Sequence, residues 1–321
     1  MSAPRCFGTR WEVKKPMIDG GQSHIYTVKD LTGEYTEELV LKRLKNIKRI
    51  DRFEREIKTL KKLNHKGIAP VLDYSLSDPP FFVTQFYSGG SLSDIAPQPT
   101  LKALDLFIAI CNAVAYAHEQ GVFHRDLKPD NIVLDHNGEP VIIDFGLCYF
   151  EEDDKRLTAT MEQVGSRFYM APELEAGRTD RVTDKIDSYA IGKILYYLLT
   201  NTNLVREDFR GEKDLIKLTK DEQTKYVSDR ILDFTVVKDP RARKSVAELE
   251  ERARNVRRLI FEHYYPGIEG SLCRFCGEGH YVINKKYTIT LNEPGVHHSV
   301  HFEVFYCDKC GNIQWFGTPN R

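Results

Sequence analysis

Eight consecutive residues, His124 to Asn131, constrain this chain more strongly than any other stretch of its sequence. They place a carboxylate (Asp126), an ammonium (Lys128) and an amide (Asn131) at fixed offsets on one predicted loop. In phosphoryl transfer, such a carboxylate can accept the proton of the attacking hydroxyl, the ammonium can neutralise charge on the moving phosphoryl group, and the amide can ligate Mg²⁺. Because this chemistry depends mainly on positioning and electrostatics, the sequence predicts a rigidly held loop.

A second motif, Asp144-Phe145-Gly146, follows that loop closely and comes directly after the apolar run from Val141 to Ile143. The run predicts a strand, and an aspartate at the end of the strand predicts a second ligand for the metal ion. On its own, a tripeptide of this composition is usually only a turn after a strand. Together, and at this spacing, the two motifs resemble those of eukaryotic-type serine/threonine protein kinases.

That resemblance implies an α+β fold of the bilobed protein-kinase type. The N-terminal lobe of this fold is an antiparallel β-sheet with one helix, and the C-terminal lobe is mainly helical. The length of 321 residues accommodates one large bilobed domain and a small appendage. We therefore predict an N-terminal extension over residues 1–16, a kinase domain over residues 17–265 and a second, small domain over residues 266–321.

The segment around Gly20 and Gly21 predicts two strands joined by a glycine-containing turn, and an ordinary hairpin is one interpretation of it. If the turn covers the phosphates of ATP, as in the family, Ile18, Gly20, Gly21 and Ile25 are nucleotide-binding residues. The segment departs from the family's glycine pattern, because Ile18 and Ser23 occupy two of its glycine positions. Side chains there limit how closely the backbone approaches the phosphates, so nucleotide affinity or turnover could be reduced.

Lys42 ends the apolar pattern of a short predicted strand and matches the kinase lysine that holds the α- and β-phosphates of ATP. Val40, two residues earlier, stands where the family usually has a small alanine against the adenine. Apolar residues at helical spacing predict a helix over residues 50–63. On this helix Glu56 is the predicted partner of Lys42, and Glu54 is the rival acid; the surrounding pattern matches the family better for Glu56.

Two predicted strands are followed by a glycine-rich break that resembles the hinge between the lobes of a kinase. The resemblance implies that backbone groups from Gln85 to Tyr87 bind the edge of the adenine. Thr84 would control access to the space behind the base, and Val133 would touch its lower face. The implied cofactors are ATP and Mg²⁺ or Mn²⁺.

A connection of about thirty residues follows the Asp-Phe-Gly motif, and a connection of that length in a compact domain is usually functional. It carries the hydroxyls of Thr158, Thr160 and Ser166. A phosphate on either threonine could pair with Arg125 and order the segment, and the sequence leaves open which threonine is used. By resemblance, Ser166 occupies the substrate-docking position that, with Lys128, marks kinases acting on serine and threonine.

The resemblance also implies two polar contacts inside the C-terminal lobe. Asp187 would be buried and would accept hydrogen bonds from the backbone of the catalytic loop, although an aspartate before an apolar helix is ordinarily an N-cap. Arg243 would pair with Glu173 across the core of the lobe.

Two Cys-x-x-Cys-Gly turns near the C-terminus, separated by roughly thirty residues, have the spacing of a tetrahedral zinc site. With the strands predicted between and after them, they resemble a three-stranded zinc ribbon in which structural Zn²⁺ contributes folding free energy. Two alternatives stay open: a histidine could replace one thiolate, or the paired thiols could form a redox switch. The four predicted zinc ligands are Cys273, Cys276, Cys307 and Cys310, and the alternative histidines are His297, His298 and His301.

The overall charge is nearly balanced, with 46 Lys and Arg against 47 Asp and Glu and a formal net charge of −1. This argues against nucleic acid or an anionic membrane surface as the main partner. No apolar run of roughly 18 residues predicts a membrane span, and the N-terminus lacks the apolar region of a secretion signal. We therefore expect a cytoplasmic protein that acts on protein substrates, with a further protein partner bound by the zinc ribbon and the oligomeric state open.

Two other functions remain open. One is a pseudokinase scaffold that binds nucleotide but does not turn it over, because the glycine loop is altered. The other is a small-molecule kinase of related fold. The presence of Lys42, Asp126 and Asp144 weighs against the scaffold, and the docking turn at Ser166 favours a protein hydroxyl over a small molecule.

Overall fold

The computed structural model describes residues 6–17, 23–145, 149–150, 168–175, 183–264, 281–293, 296–307 and 313–317. The chain divides into two units, Met1–Arg254 and Asn255–Arg321. The first unit contains a six-stranded sheet followed by a mainly helical region, and the second contains a three-stranded sheet.

The first unit begins with an antiparallel sheet whose strand order is β1-β2-β3-β4-β6-β5. Successive residues of a strand point to opposite faces, and on the fourth strand Leu39 and Leu41 are buried in the core. Lys42 therefore lies on the face opposite these leucines. The strands are β1 (Cys6–Phe7), β2 (Trp11–Pro16), β3 (Ser23–Asp30), β4 (Leu39–Leu44), β5 (Asp73–Ser75) and β6 (Phe81–Gln85).

Strands β1 and β2 belong to this sheet, although they precede residue 17, where the kinase domain was predicted to begin. Phe7 on β1 packs edge-on against Phe81, with ring centroids 5.5 Å apart. Trp11 on β2 is 1% exposed, and its indole N–H donates to Asp73 Oδ2 at 2.6 Å. Because β2 and β5 are distant in the strand order, this bond indicates a curled sheet. The segment predicted as an extension is thus part of the N-terminal core.

Helix α1 (Ile50–Lys62) agrees with the predicted helix to within one residue at its end. Its buried face is formed by apolar residues at helical spacing, and Phe53 contacts Phe82 of β6 with ring centroids 5.5 Å apart. Glu56 lies on the same buried face and is 4% exposed. Burying an ionised carboxylate is costly unless a group of opposite charge lies beside it, so we expect a positively charged partner next to Glu56.

The helical region of the first unit contains two long buried helices, α3 and α5, which pack against each other. Shorter helices lead to α8, whose residues up to Arg254 belong to this unit. The helices are α2 (Leu92–Ile95), α3 (Thr100–Glu119), α4 (Pro172–Glu175), α5 (Lys185–Thr200), α6 (Leu215–Thr219), α7 (Thr224–Arg230) and α8 (Val246–Tyr264). Single 3-10 turns are formed by Ile47–Arg49, Pro129–Asn131, Gly211–Lys213, Leu232–Phe234 and Pro240–Ala242.

Helix α3 corrects one expectation, because by length and composition alone it is apolar enough to cross a membrane. The apolar runs of the sequence alone predict no membrane span. Core helices of folded domains pass the same test, and most of this helix is buried, including Leu104, Phe107 and Cys111 at 0% exposure. Its apolar composition is therefore accounted for by packing within the first unit.

Two short antiparallel ladders hold the loops between the sheet and the helices. The first pairs β8 (Ile132–Leu134) with β9 (Pro140–Ile142), and the second pairs β7 (Val122–Phe123) with β10 (Tyr149–Phe150). Residues directly before β8 and directly after β9 are consequently neighbours. The predicted catalytic loop and the predicted Asp-Phe-Gly motif occupy these two positions.

The predicted pairing of Arg243 with Glu173 is confirmed. The guanidinium donates through Nη1 to Glu173 Oε1 at 2.7 Å and through Nη2 to Oε2 at 2.9 Å. Further hydrogen bonds from Arg243 reach the carbonyls of Val237, Lys185 and Lys238. Since both charged groups are buried, this bidentate pair links α4 to the segment before α8, and the bond to the Lys185 carbonyl reaches the start of α5.

The second unit contains the predicted three-stranded sheet, with antiparallel order β11-β12-β13. Its strands are β11 (Tyr281–Glu293), β12 (Val296–Cys307) and β13 (Ile313–Gly317). Cys307 is the last residue of β12, while Cys273, Cys276 and Cys310 lie outside the described residues. Within the described part of the chain, no group of three metal-ligating side chains is found.

Candidate active site

The candidate site is centred on Lys42 of β4. Its ammonium lies 2.7 Å from Glu56 Oε1 of α1 and 3.3 Å from Asp144 Oδ1, which follows β9. The side chains of Lys42 and Glu56 are 15% and 5% exposed, whereas that of Asp144 is 39% exposed. The Lys42 ammonium thus connects β4, α1 and the loop after β9. Of the two carboxylates that contact it, that of Asp144 is the more exposed.

Burial and the neighbouring charges have opposite effects on the pKa of Lys42. Burial alone would lower the pKa of Lys42, but the negative charges of Asp144 and Glu56 outweigh it and raise the pKa above its ordinary value. Burial raises the pKa of Glu56 to about 7, an effect that the Lys42 charge opposes and the Asp144 charge reinforces. Lys42 is therefore charged at neutral pH, while Glu56 titrates near neutrality.

In the predicted catalytic loop, the side chains of Lys128 and Asn131 both contact Asp126. Lys128 Nζ lies 3.3 Å from Asp126 Oδ2, and Asn131 Nδ2 donates to the Asp126 carbonyl oxygen at 2.9 Å and to Oδ2 at 3.3 Å. The loop reaches the Asp-Phe-Gly motif through its backbone, since the Ile143 N–H donates to the Asn131 carbonyl at 3.1 Å. Hydrogen bonds therefore connect Asp126 to the residue that precedes Asp144.

The predicted contact between Asp187 of α5 and the backbone of the catalytic loop is present. Its carboxylate accepts the backbone N–H groups of His124 and Arg125, each at 2.8 Å, and contacts His118 Nε2 at 2.8 Å. Burial alone would raise the pKa of Asp187, but the hydrogen bond from His118 and these backbone donors hold it below its ordinary value. Arg125 has a left-handed φ of 67°, a strained conformation for a non-glycine residue, which these bonds stabilise.

The imidazole of His124 lies at the centre of this arrangement and is 1% exposed. Burial lowers its pKa, and the charges of Asp187, Asp126 and Asp144 act in the opposite direction. Its ring packs on Phe145 with centroids 4.6 Å apart. The backbone N–H of Asp126 donates to His124 Nδ1 at 3.3 Å, so the His124 ring contacts residues of both motifs.

The described residues predicted to bind the nucleotide lie on neighbouring strands. In the register of the sheet, Ile25 of β3 pairs with Lys42, and Val40 of β4 pairs with Thr84 of β6. Thr84 is buried, and its hydroxyl has no hydrogen-bond partner among the described residues. Val133 lies on β8 and is half-buried. Ile25, Val40 and Thr84 thus lie on adjacent strands of the large sheet, while Val133 forms an isolated bridge with Ser91, in the segment that follows the predicted hinge.

The predicted hinge residues begin at the C-terminal end of β6. Gln85 is the last residue of the strand and is exposed, and Tyr87 is half-buried two residues later. Burial, reinforced by the negative charge of Asp135, raises the pKa of Tyr87 to about 12, so its hydroxyl is neutral. The predicted binding residues Ile18, Gly20 and Gly21 lie outside the described residues, as do Thr158, Thr160 and Ser166.

One charged residue near the site was missed by sequence reasoning. Arg52 lies four residues before Glu56 on α1, so the two side chains share a helix face. Burial lowers the pKa of Arg52, and the charges of Asp144, Glu56 and Asp126 oppose this effect. The i, i+4 spacing from Glu56 was the available signal, but many exposed helical pairs have the same spacing.

The donor set at the site fits Mg²⁺, which prefers oxygen ligands from carboxylates and amides. Asp144 offers a partly exposed carboxylate. The amide nitrogen of Asn131 is used in hydrogen bonds to Asp126, so its amide oxygen is the atom that it would offer to a metal. Asp144 and Asn131 could therefore hold a magnesium ion between the two loops.

Comparison with known proteins finds a match to the family model described as "Protein kinase domain" over residues 11–255. The match starts within the sheet at Trp11 and ends in α8. It includes β2, which the predicted domain limits of 17 and 265 had placed outside the kinase domain.

Several curated proteins are similar to this chain. A DNA damage-responsive serine/threonine-protein kinase, RqkA of Deinococcus radiodurans, is 34% identical over 198 residues, which cover 58% of this chain and 29% of the relative. Serine/threonine-protein kinase PknB of Mycobacterium leprae is 28% identical over 214 residues, covering 62% and 34%. Serine/threonine-protein kinase D of Synechocystis is 28% identical over 301 residues, covering 88% and 58%. The chain spans about a third of the length of the first two relatives.

Proposed function

Because this chain belongs to the protein kinase family, we propose that it transfers the γ-phosphoryl group of ATP to serine and threonine hydroxyls of protein substrates. The observation that carries the proposal is the position of Lys42, within 2.7 Å of Glu56 and 3.3 Å of Asp144. In this arrangement the ammonium is directed toward the space where phosphates would lie, and a second carboxylate is close enough to share a metal with them.

Each polar side chain of the site has a role in this proposal. Lys42 binds phosphate oxygens of ATP and is held in place by Glu56. Asp126 accepts the proton of the attacking hydroxyl, and Lys128 stabilises negative charge that develops on the transferred group. Magnesium held by Asp144 and Asn131 would supply further neutralisation of the phosphate charges.

We place the adenine between the sheet and β8. Val40 and Ile25 would cover one face of the base and Val133 the other, while the backbone from Gln85 to Tyr87 binds its edge. The hydroxyl of Thr84, which is buried without a hydrogen-bond partner among the described residues, would lie at the back of this space. The glycine turn with Ile18, Gly20 and Gly21 would complete the phosphate site, a role supported only by its sequence.

We also propose that phosphorylation of the segment after the Asp-Phe-Gly motif regulates the activity. A phosphate on Thr158 or Thr160 would pair with Arg125, which is anchored beside Asp126 through its backbone N–H. Ser166 would dock the substrate beside Lys128. Chains related to this one include serine/threonine kinases, which supports a hydroxyl on protein as the acceptor. We propose the cytoplasm as the compartment, consistent with the burial of α3.

We further propose that the second unit is a zinc ribbon that binds a protein partner. Support comes from the spacing of the two Cys-x-x-Cys pairs and from the three-stranded antiparallel sheet between and after them. Four thiolates leave no open coordination position, so the metal would be structural. The proposed ligands are Cys273, Cys276, Cys307 and Cys310.

Incubation with labelled ATP, Mg²⁺ and a generic protein substrate tests the proposed activity. We expect phosphoserine and phosphothreonine in the wild type and in Asp130→Asn, an exposed aspartate of the same loop, and none above background in Asp126→Asn. Absence of transfer in the wild type, with nucleotide still bound, would favour the scaffold instead. Transfer to a small alcohol but not to protein would favour a small-molecule kinase.

A further inference from the structure

The three strands of the second unit form an amphipathic sheet. Successive residues of a strand alternate between the two faces, and residues paired across an antiparallel ladder share a face. We call apolar face the one that holds every second residue of β12 from Val296 to Tyr306, together with their register partners on β11 and β13. Eleven of its fifteen residues are aliphatic or aromatic. They include Tyr287, Ile289, Leu291, Val300, Phe302 and Trp315.

The opposite face is polar over the part of the sheet furthest from Cys307. An antiparallel sheet with this alternation commonly has one face in water and the other packed on a core. Because the apolar face of a sheet must be buried against another layer, the apolar face of this sheet needs one. The polar residues of the opposite face in this part are Thr288, Thr290, Asn292, His297, Ser299 and His301.

The proposed metal site does not supply that layer. Cys307 is the last residue of β12, so a zinc ion bound by it would lie at that end of the sheet. Val300 is seven residues from Cys307, which is about 23 Å along a strand. The apolar face continues past Val300 to Leu291 and Val296. The half of the face that lies furthest from the metal therefore requires a different covering layer.

Two charged residues belong to the apolar face of the described strands, and their positions are symmetric. Lys285 and Glu293 are each four residues from Ile289 on β11, and the bulge of this strand lies outside that interval. Their register partners on β12 are both valines, so neither is paired with an opposite charge across the ladder. Opposite charges at equal distances from a centre make a surface complementary to itself under a two-fold rotation.

We propose that the apolar face binds the same face of a second copy of this chain. A two-fold axis that lies between the two sheets and crosses β11 at Ile289 reverses the direction of the strands. Glu293 is then opposite Lys285 of the partner subunit, and Lys285 is opposite Glu293 of the partner subunit. The inference rests on the proposed role of the second unit in binding a protein, and it identifies that protein.

The size of the apolar face predicts a weak dimer. A standard interface uses about 20 to 30 residues on each side, and a specific interface buries at least about 1,000 Å² in total. The apolar face offers fifteen residues, so the buried area is near this lower limit. We therefore expect a dissociation constant in the micromolar range. Sedimentation equilibrium of the 321-residue chain measures it, and the wild type at about 100 µM should be mainly dimeric.

Charge reversal tests the two-fold arrangement. Glu293→Lys and Lys285→Glu each create two pairs of like charge between the copies, so each should raise the dissociation constant about tenfold or more. The variant with both changes restores opposite charges and should return to within about threefold of the wild type. Asn292→Lys is the matched control, because it adds a positive charge at the neighbouring position on the opposite face, and it should not change the dissociation constant.

A substitution at the centre of the face tests whether its apolar residues hold the dimer together. Ile289→Glu would bury a charge on the two-fold axis, so it should be monomeric at about 100 µM. Thr290→Glu introduces the same residue at the next position, on the opposite face, and should remain dimeric. Zinc content, measured on every variant, reports whether the ribbon is folded. Where Ile289→Glu lacks zinc, the charge-reversal variants decide.

The outcomes separate this inference from the proposed function. A wild type that remains monomeric at about 100 µM would overturn the inference, because another layer must then cover the face. A dimer that Ile289→Glu and Glu293→Lys leave unchanged would overturn it too, since a different surface would join the copies. A zinc-loaded monomer leaves the zinc ribbon standing. A chain without zinc contradicts the ribbon, and the sedimentation result still decides the dimer.

Discussion

Lys42 Nζ lies 2.7 Å from Glu56 Oε1, so β4 and α1 are joined by a nearly buried ion pair. The pair fixes the rotation of α1, because Glu56 is on the same helix face as Phe53, which packs on β6. In a kinase, this link is required for the lysine to reach the phosphates of ATP. The described structure therefore contains the ion pair on which the proposed role of Lys42 depends.

The ion pair predicts a pH dependence. Burial raises the pKa of Glu56 to about 7, so the ionised form that pairs with Lys42 is lost as pH falls through neutrality. We expect kcat/KM to decline below about pH 7 in the wild type. Glu54→Gln should show the same profile, because Glu54 forms an exposed pair with Lys58 on the same helix. Glu56→Gln should be slower and lack this ionisation.

The same shift has a consequence for stability. Because the pKa of Glu56 is higher in the folded protein than its ordinary value of 4.5, the folded state binds the proton more tightly. The stabilising contribution of Glu56 is thus fully present below the unfolded pKa and is lost as pH rises through about 7. Urea unfolding of the wild type and Glu56→Gln across pH 4 to 8 measures it. A difference that does not change with pH would contradict the assignment.

Replacement of Lys42 tests its contact with phosphate. We expect Lys42→Met to lower kcat by at least about 100-fold, the scale of losing one preorganised electrostatic contact in an active site. The far-UV circular dichroism should be unchanged, since Glu56 can become neutral by protonation. Lys29→Met, an exposed lysine on the adjacent strand β3, is the control and should retain activity. Full activity in Lys42→Met would show that phosphate is held elsewhere.

The buried pair of Arg243 and Glu173 predicts a large effect on stability. Arg243→Met leaves Glu173 without its bidentate partner, so the free energy of unfolding should fall by about 3 to 5 kcal/mol. Adding Glu173→Leu removes the unpaired charge and should restore part of the loss. Arg241→Met, whose pair with Asp239 is exposed, should leave the urea midpoint unchanged. Equal effects of the two arginine variants would contradict this account.

Metal content tests the zinc ribbon. The purified 321-residue chain should contain about one zinc ion per molecule by elemental analysis, as four thiolates bind one ion. Cys276→Ser should lose it, whereas Cys6→Ser, which alters an exposed cysteine of β1, should retain it. Chelation should loosen the second unit and leave the first unit cooperative. A wild-type chain without zinc would remove the ribbon proposal and leave the kinase proposal untouched.

Motif spacing was sufficient to predict the contacts that depend on a few polar residues. The pairs Lys42 with Glu56 and Arg243 with Glu173, and the contact of Asp187 with the catalytic loop, are all present. Each motif includes the residues that predict the strand, loop or helix start on which its polar residues lie. If these elements are arranged as in the protein kinase family, the position of each polar residue in the sequence identifies the residue that it contacts.

Features that depend on tertiary packing were not predicted. The pairing of β1 and β2 with the sheet was not predicted, and the bond from Trp11 to Asp73 joins residues 62 positions apart, with no local signal. Arg52 was missed because its position near both carboxylates depends on the rotation of α1. The apolar character of α3 was underestimated because isolated charges such as Lys102 and Asp105 interrupt the run of apolar letters.

A crystal structure with a non-hydrolysable ATP analogue and Mg²⁺ tests the central claim most directly. The account predicts that oxygens of Asp144 and Asn131 bind a metal that also contacts the phosphates, with Lys42 on the phosphates and the Asp126 carboxylate facing the terminal one. A nucleotide bound elsewhere, or a metal that does not contact Asp144, would contradict it.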